Sequence, residues 1–120
     1  MKTKLDFVTN SSSTAFIITN ISNNKKTLVD FVKENPQLIE QFKDVYVSEK
    51  WYTEKERSEY NQEALIKSAK ENNMTFKPDK SEYCVFGDED GTFIGRIFDY
   101  ILRDGGQSES FVWRFNEYLR

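Results

Sequence analysis

Apolar positions along the chain switch between a two-residue period and a period of three to four, and each switch marks an element. Leu5-Asp6-Phe7-Val8 is a short strand-like run. Small polar residues from Thr9 to Thr14 interrupt it before Ala15-Phe16-Ile17-Ile18 resumes as a buried strand. Asn20 to Asn24 is turn-like. Thr27 is placed to cap a helix with Leu28, Val29, Phe31 and Val32 on one apolar face. That helix stops near Asn35, because Pro36 disfavours the helical conformation in the residue before it. Asn35 and Pro36 also read as N-cap and first residue of a second helix, with Leu38, Ile39 and Phe42 inward. Val45-Tyr46-Val47 has the composition of a short strand.

Thr53 and Glu56 have capping-box spacing, and a mostly polar helix is expected to run from there to about Asn72. Its inner stripe is Tyr60, Ala64, Leu65 and Ala69. Met74-Thr75-Phe76 alternates, and Tyr83-Cys84-Val85-Phe86 is a nearly continuous apolar strand ending at a sharp turn, Gly87 to Gly91. Phe93, Ile94, Ile97, Phe98, Ile101 and Leu102 then recur in pairs every four residues, a helical period that Gly105-Gly106 ends. From Ser110 to Leu119, Phe111, Trp113 and Phe115 alternate with Val112, Arg114 and Asn116, as in an antiparallel strand. These runs lack regular βαβ alternation. The expected class is α+β, one small mixed or antiparallel sheet with about four helices, in a single domain over residues 1–120.

Composition supports a core of that size. Ten Phe, six Tyr and two Trp offset a hydrophobic content of 38%, because each aromatic side chain buries a large apolar area. A charged fraction of 31% in both signs suits a soluble chain, and no apolar run reaches the roughly 18 residues of a membrane span.

Charge and chemistry narrow the functional classes. The net charge is −3, and the excess lies in the last third, where seven acids from Asp88 to Glu117 face four arginines. General attraction to nucleic acid or to an anionic membrane is therefore disfavoured, and neither partner is expected. Cys84 is the only cysteine, so no intramolecular disulfide forms, which fits a reducing cytoplasm. The absence of histidine removes Cys-His and Ser-His nucleophile pairs and imidazole zinc sites. No cofactor and no metal site is expected.

Phe7-Val8-Thr9-Asn10-Ser11-Ser12-Ser13-Thr14-Ala15-Phe16 is the most distinctive string. It resembles the opening Phe-Val-Thr/Ser-Asn-Ser-Ser-Ser-Ser-Ser-Phe signature of a loose group of small phage, bacterial and archaeal proteins. The chain departs from that signature at Thr14-Ala15, where the group has serines. The stretch from Phe86-Gly87 to Trp113-Arg114-Phe115 also looks like a block shared by such proteins. The resemblance implies a recurring N-terminal element without an agreed biochemical role and, if the chain is phage-encoded, a place in the host cytoplasm. Chemically, Asn10, Ser11, Ser12 and Ser13 are a candidate anion-binding loop, since clustered hydroxyls and backbone N–H groups cradle phosphate. No glycine allows close backbone approach and no lysine follows the run, so it is not a P-loop. The alternative is a connection whose hydroxyls satisfy their own backbone.

Asp88, Glu89 and Asp90 form an acidic turn before Gly91-Thr92. It resembles the start of a calcium loop, but its glycine comes too early and its twelfth position is Asp99 rather than Glu. The competing reading is a helix-capping turn through Asp90 or Thr92. Asp99 and Arg103 stand four apart and are expected to pair on a solvated helix face, with Arg96 competing. A general acid or base drawn from Asp99, Tyr100 and Glu109 has no support from spacing alone. Trp113 and Arg114 are binding candidates if their strand face is exposed, and ordinary strand residues if it is covered. Cys84 reads as a small core residue.

The leading expectation is a non-enzymatic protein-interaction module, in the phage setting one that binds and modulates a host or viral protein, for instance as an inhibitor of a host defence system. A small ligand-binding or metal-binding domain or enzyme, using the Ser-rich loop or the acidic turn, is the alternative from another class. A virion structural component is the third.

Overall fold

The computed structural model describes residues 13–72, 74–87 and 92–119. In chain order its elements are β1 (Ser13–Asn20), β2 (Lys26–Thr27), α1 (Leu28–Glu34) and α2 (Gln37–Tyr46). There follow α3 (Glu54–Ser58), α4 (Gln62–Asn72), β3 (Thr75–Phe76) and β4 (Ser81–Gly87). The chain closes with α5 (Phe93–Ile101), β5 (Gly106–Gln107) and β6 (Phe111–Leu119). Four strands form an antiparallel sheet in the order β4-β1-β6-β5, and β2 pairs with β3 in a separate two-stranded ladder. The fold is thus α+β, with an antiparallel sheet.

β1 has ladder partners on both edges, so its backbone is satisfied and even its polar residues Ser13, Thr14 and Asn20 are buried. Asn20 is fully buried because its side chain replaces lost water: Nδ2 donates to the Asn24 and Phe76 carbonyls, and Oδ1 accepts from Ser22. Between Ala15 and Phe16 the register with β6 shifts by one residue, a bulge that leaves Asn116 as the extra residue.

The core is aromatic. Phe31 of α1 sits at its centre, its ring edge-to-face with Phe98 of α5 at 5.6 Å and with Phe111 and Trp113 of β6 at 5.1 Å each. Around it lie Phe16, Ile18 and Phe86 from the sheet, Leu38, Ile39 and Phe42 from α2, Leu65 and Ala69 from α4, and Ile94 and Ile97 from α5. The capping boxes at Thr27–Asp30 and Thr53–Glu56 start α1 and α3 as the spacing requires.

Several local expectations change. Val45-Tyr46-Val47 is not a strand: α2 runs through Tyr46, whose ring packs on Phe42 at 5.1 Å and on Tyr100 at 4.9 Å. Tertiary stacking outweighs the β propensity of those three residues. The polar helix expected from residue 54 to 72 is two helices, giving five in all among the described residues, because Asn61 turns the chain and its Oδ1 accepts from the Ala64 N–H to start α4. Asn35 does not cap α2. It ends α1, its amide donating to the Phe31 carbonyl at 2.9 Å, while Pro36 flanks α2 with a helical φ of −65°. β1 begins at Ser13, two residues before the apolar run starts.

Candidate interaction surface

The residues singled out by sequence fall in different places. Asn10, Ser11, Ser12, Asp88, Glu89 and Asp90 lie outside the described residues. Ser13 belongs to a strand rather than a loop, opposite Gly87 and Leu119 and 7% exposed. Trp113 faces the core at 5% exposure, so the strand face it shares with Phe111 is covered rather than open to a partner. Arg114 lies on the other face of the sheet and is exposed, beside Ile17 of β1, which Tyr83 flanks from the far side. The two candidates thus belong to opposite faces, as period-two alternation demands. Thr92 caps α5, its hydroxyl accepting from the Gly95 N–H at 3.0 Å.

Asp99 and Arg103 do pair, at 3.2 Å, but the expected solvated face is not there. Asp99 is fully buried because α5 turns it toward the sheet, where the Thr14 hydroxyl donates to its Oδ1. Arg103 closes the site from outside, its Nε donating to the Asp99 carbonyl and its guanidinium lying over the rings of Tyr100 and Tyr118. A carboxylate sealed in this way anchors α5 to β1 and has no access to substrate in this conformation. Arg96 is exposed and does not compete for it.

A feature that sequence reasoning passed over stands out more. At the C-terminal end of α2 Val45 is 66% and Tyr46 42% exposed, and in the loop to α3 Trp51 is 75% and Tyr52 37% exposed. The loop carrying Trp51 and Tyr52 is well fixed. Trp51 and Tyr52 N–H groups both donate to the Ser48 carbonyl, Lys50 N–H to Ser48 Oγ, and Arg57 Nε to the Val47 carbonyl at 2.7 Å. Arg57 also pairs with Glu49 at 3.4 Å, and these two residues with Tyr52 and Glu54 line a polar hollow of about 450 Å³. Lys50 Nζ stands 5.4 Å from the Trp51 ring centroid. The signal available in sequence was an adjacent Trp-Tyr pair set among polar residues, without periodic apolar neighbours to bury it.

A second concavity, of about 500 Å³, runs between α2 and the β5 edge. Leu38, Val45 and Ile101 supply its apolar wall, Gln37, Gln41 and Gln107 its amides, and Asp104 its one charge. Trp113 lines it beneath Gly105 and Gly106. Close approach requires glycine at 106, where an added Cβ would lie 2.3 Å from Trp113 Cζ2.

Electrostatics tie the β5–β6 connection to α1. Glu34 Oε1 accepts from Ser108 Oγ and from the Ser110 N–H, each at 2.6 Å. Burial by itself raises the Glu34 pKa, but these hydrogen bonds and nearby Lys26 outweigh it and hold the carboxyl below its ordinary range. On the outer sheet face Tyr83 donates to Glu117, and desolvation together with that carboxylate raises the phenol's pKa. Burial, reinforced by Glu82, pushes the Cys84 thiol up to about 12, which leaves it a core residue rather than a nucleophile at neutral pH.

Among the described residues, no group of three or more His, Cys, Asp or Glu gathers to hold a metal ion, and no helix is long and apolar enough to cross a membrane. Comparison with family models, curated proteins and solved structures finds no match to this chain, so its chemistry is read from its own residues.

Proposed function

We propose that the protein is a non-enzymatic protein-interaction module that engages its partner through the α2–α3 loop. The observation that carries this reading is Trp51, three-quarters exposed on a loop held by backbone hydrogen bonds. A large aromatic side chain in water forfeits its apolar burial, and a fixed one adds little ordering cost when a partner covers it. Trp, Tyr and Arg are also the residue types that dominate binding energy at interfaces, and here Trp51, Tyr46, Tyr52 and Arg57 share one segment of the chain.

The test is capture from nuclease-treated native lysate by the tagged protein and by Trp51→Ala, read by mass spectrometry. A protein retained stoichiometrically by wild type and lost by the variant, with thermal stability unchanged, is the expected result. Equal capture by both, or by neither, would overturn the reading.

A further inference from the structure

The β5 edge and the groove beside it have the features of a receptor for an extended peptide. Ser108 N–H donates to the Phe111 carbonyl at 2.8 Å, closing the β5–β6 hairpin. Antiparallel pairs alternate between hydrogen-bonded and non-hydrogen-bonded, so the next pair, Gln107 with Val112, is non-hydrogen-bonded. The backbone N–H and C=O of Gln107 therefore point away from β6, toward the groove side, and β5 is the outermost strand there among the described residues.

The groove's side chains match the same ligand. The Gln41 and Gln107 amides have no hydrogen-bond partner among the described residues and offer both donors and acceptors. Trp113, 5% exposed, carries an indole N–H without an acceptor, and a donor-only group of this kind calls for a carbonyl oxygen. Asp104, the only charged residue of the lining, disfavours an anionic ligand and favours a neutral or basic one. Leu38, Val45 and Ile101 accept an aliphatic side chain.

We infer that this groove binds an extended, neutral-to-basic peptide segment of a partner, which pairs with the Gln107 backbone and presents carbonyls to the amides and to Trp113. Strand addition of this kind takes its affinity from main-chain hydrogen bonds and its specificity from pockets for alternate side chains. The inference rests on the reading of the protein as an interaction module but not on Trp51. Gly106, which lacks a Cβ, lies directly over the Trp113 ring where that ring lines the groove.

The probe is a displayed library of random linear peptides selected against the full chain, with the best binder then synthesised. Bound peptide should move the Trp113 indole ¹H–¹⁵N resonance and protect the Gln107 amide from hydrogen exchange. Affinity should fall at least tenfold in Gln107→Pro, which removes the edge donor, and severalfold in the exposed helix variant Gln41→Ala, which removes an amide without changing the charge. Trp51→Ala should bind as wild type does. Failure to enrich any peptide, enrichment of acidic peptides, or self-association through this edge in place of peptide binding would overturn the groove assignment. So would binders that depend on Trp51 and leave the Trp113 resonance unmoved, although these would leave the interaction reading standing.

Discussion

Thr14 donates a hydrogen bond to Asp99 across 85 positions of sequence, joining the central strand to α5 inside the core. Arg103 completes the unit from the surface side. Removing the carboxylate leaves the buried Thr14 hydroxyl without its acceptor and the half-buried Arg103 guanidinium with only the backbone carbonyl of residue 99, so Asp99→Ala should lose about 3 kcal/mol of folding stability. Thr14→Val, which keeps the shape and removes one donor, should lose about 1 kcal/mol. Urea denaturation of both variants and the double variant measures this. The two losses should be strongly non-additive, since both act on one bond.

Glu34 gives the protein an acid-sensitive joint. Its folded-state pKa is lowered, so the stability it contributes is present above its unfolded value of 4.5 and is lost as pH falls through the folded value. Glu34→Gln should therefore be less stable than wild type near neutral pH, on the order of 1 kcal/mol. The difference should vanish in acid. Thermal melts of both proteins from pH 7 to pH 3 read this directly, and curves that stayed parallel would show that the clamp contributes nothing.

Cys84 should be inert while the protein is folded. Its pKa of about 12 leaves almost no thiolate at pH 8, and burial blocks access. An aromatic disulfide reagent at pH 8 should label it within minutes in urea and only at the rate of opening in buffer. Because the folded pKa is raised, stability from this group is complete below pH 9.0 and declines as pH rises toward 12.

Gly106 and Trp113 are matched in shape. Ala at 106 would place its Cβ 2.3 Å from the indole, so Gly106→Ala should displace the ring and lose about 1–3 kcal/mol. The near-UV circular dichroism of Trp113 should weaken with it. At Gly105, where φ is +74°, Ala should lose about 1 kcal/mol chiefly for a different reason, the left-handed backbone, with its Cβ meeting the Trp113 carbonyl oxygen at 3.1 Å rather than the indole ring.

Local signals were legible wherever the physics was local. Thr27 as an N-cap and Thr53 with Glu56 as a capping box announce helix starts, because a cap needs only residues two or three apart. The α5 stripe and the alternation of Phe111, Trp113 and Phe115 survive into the structure because one buried face fixes the period. Val45 to Val47 misled because propensity counts only neighbours, whereas Tyr46 is held in α2 by Phe42 below it and Tyr100 from another helix. Asp99 misled in the same way: its spacing to Arg103 is readable, but nothing in the spacing says that Thr14 lies across from it.

The candidate surface follows the same division. An α+β class, an aromatic core, the lack of histidine chemistry and the positions of most helix starts can be read along the chain, since each depends on composition or on residues a few positions apart. It takes the packed fold to make Trp113 core and Trp51 surface, and to set Gln107 against a groove built partly by α2. Exposure and cavities depend on which distant segments meet, and that information is carried by the packing of Phe31, Phe98 and Phe111 rather than by any single stretch of chain.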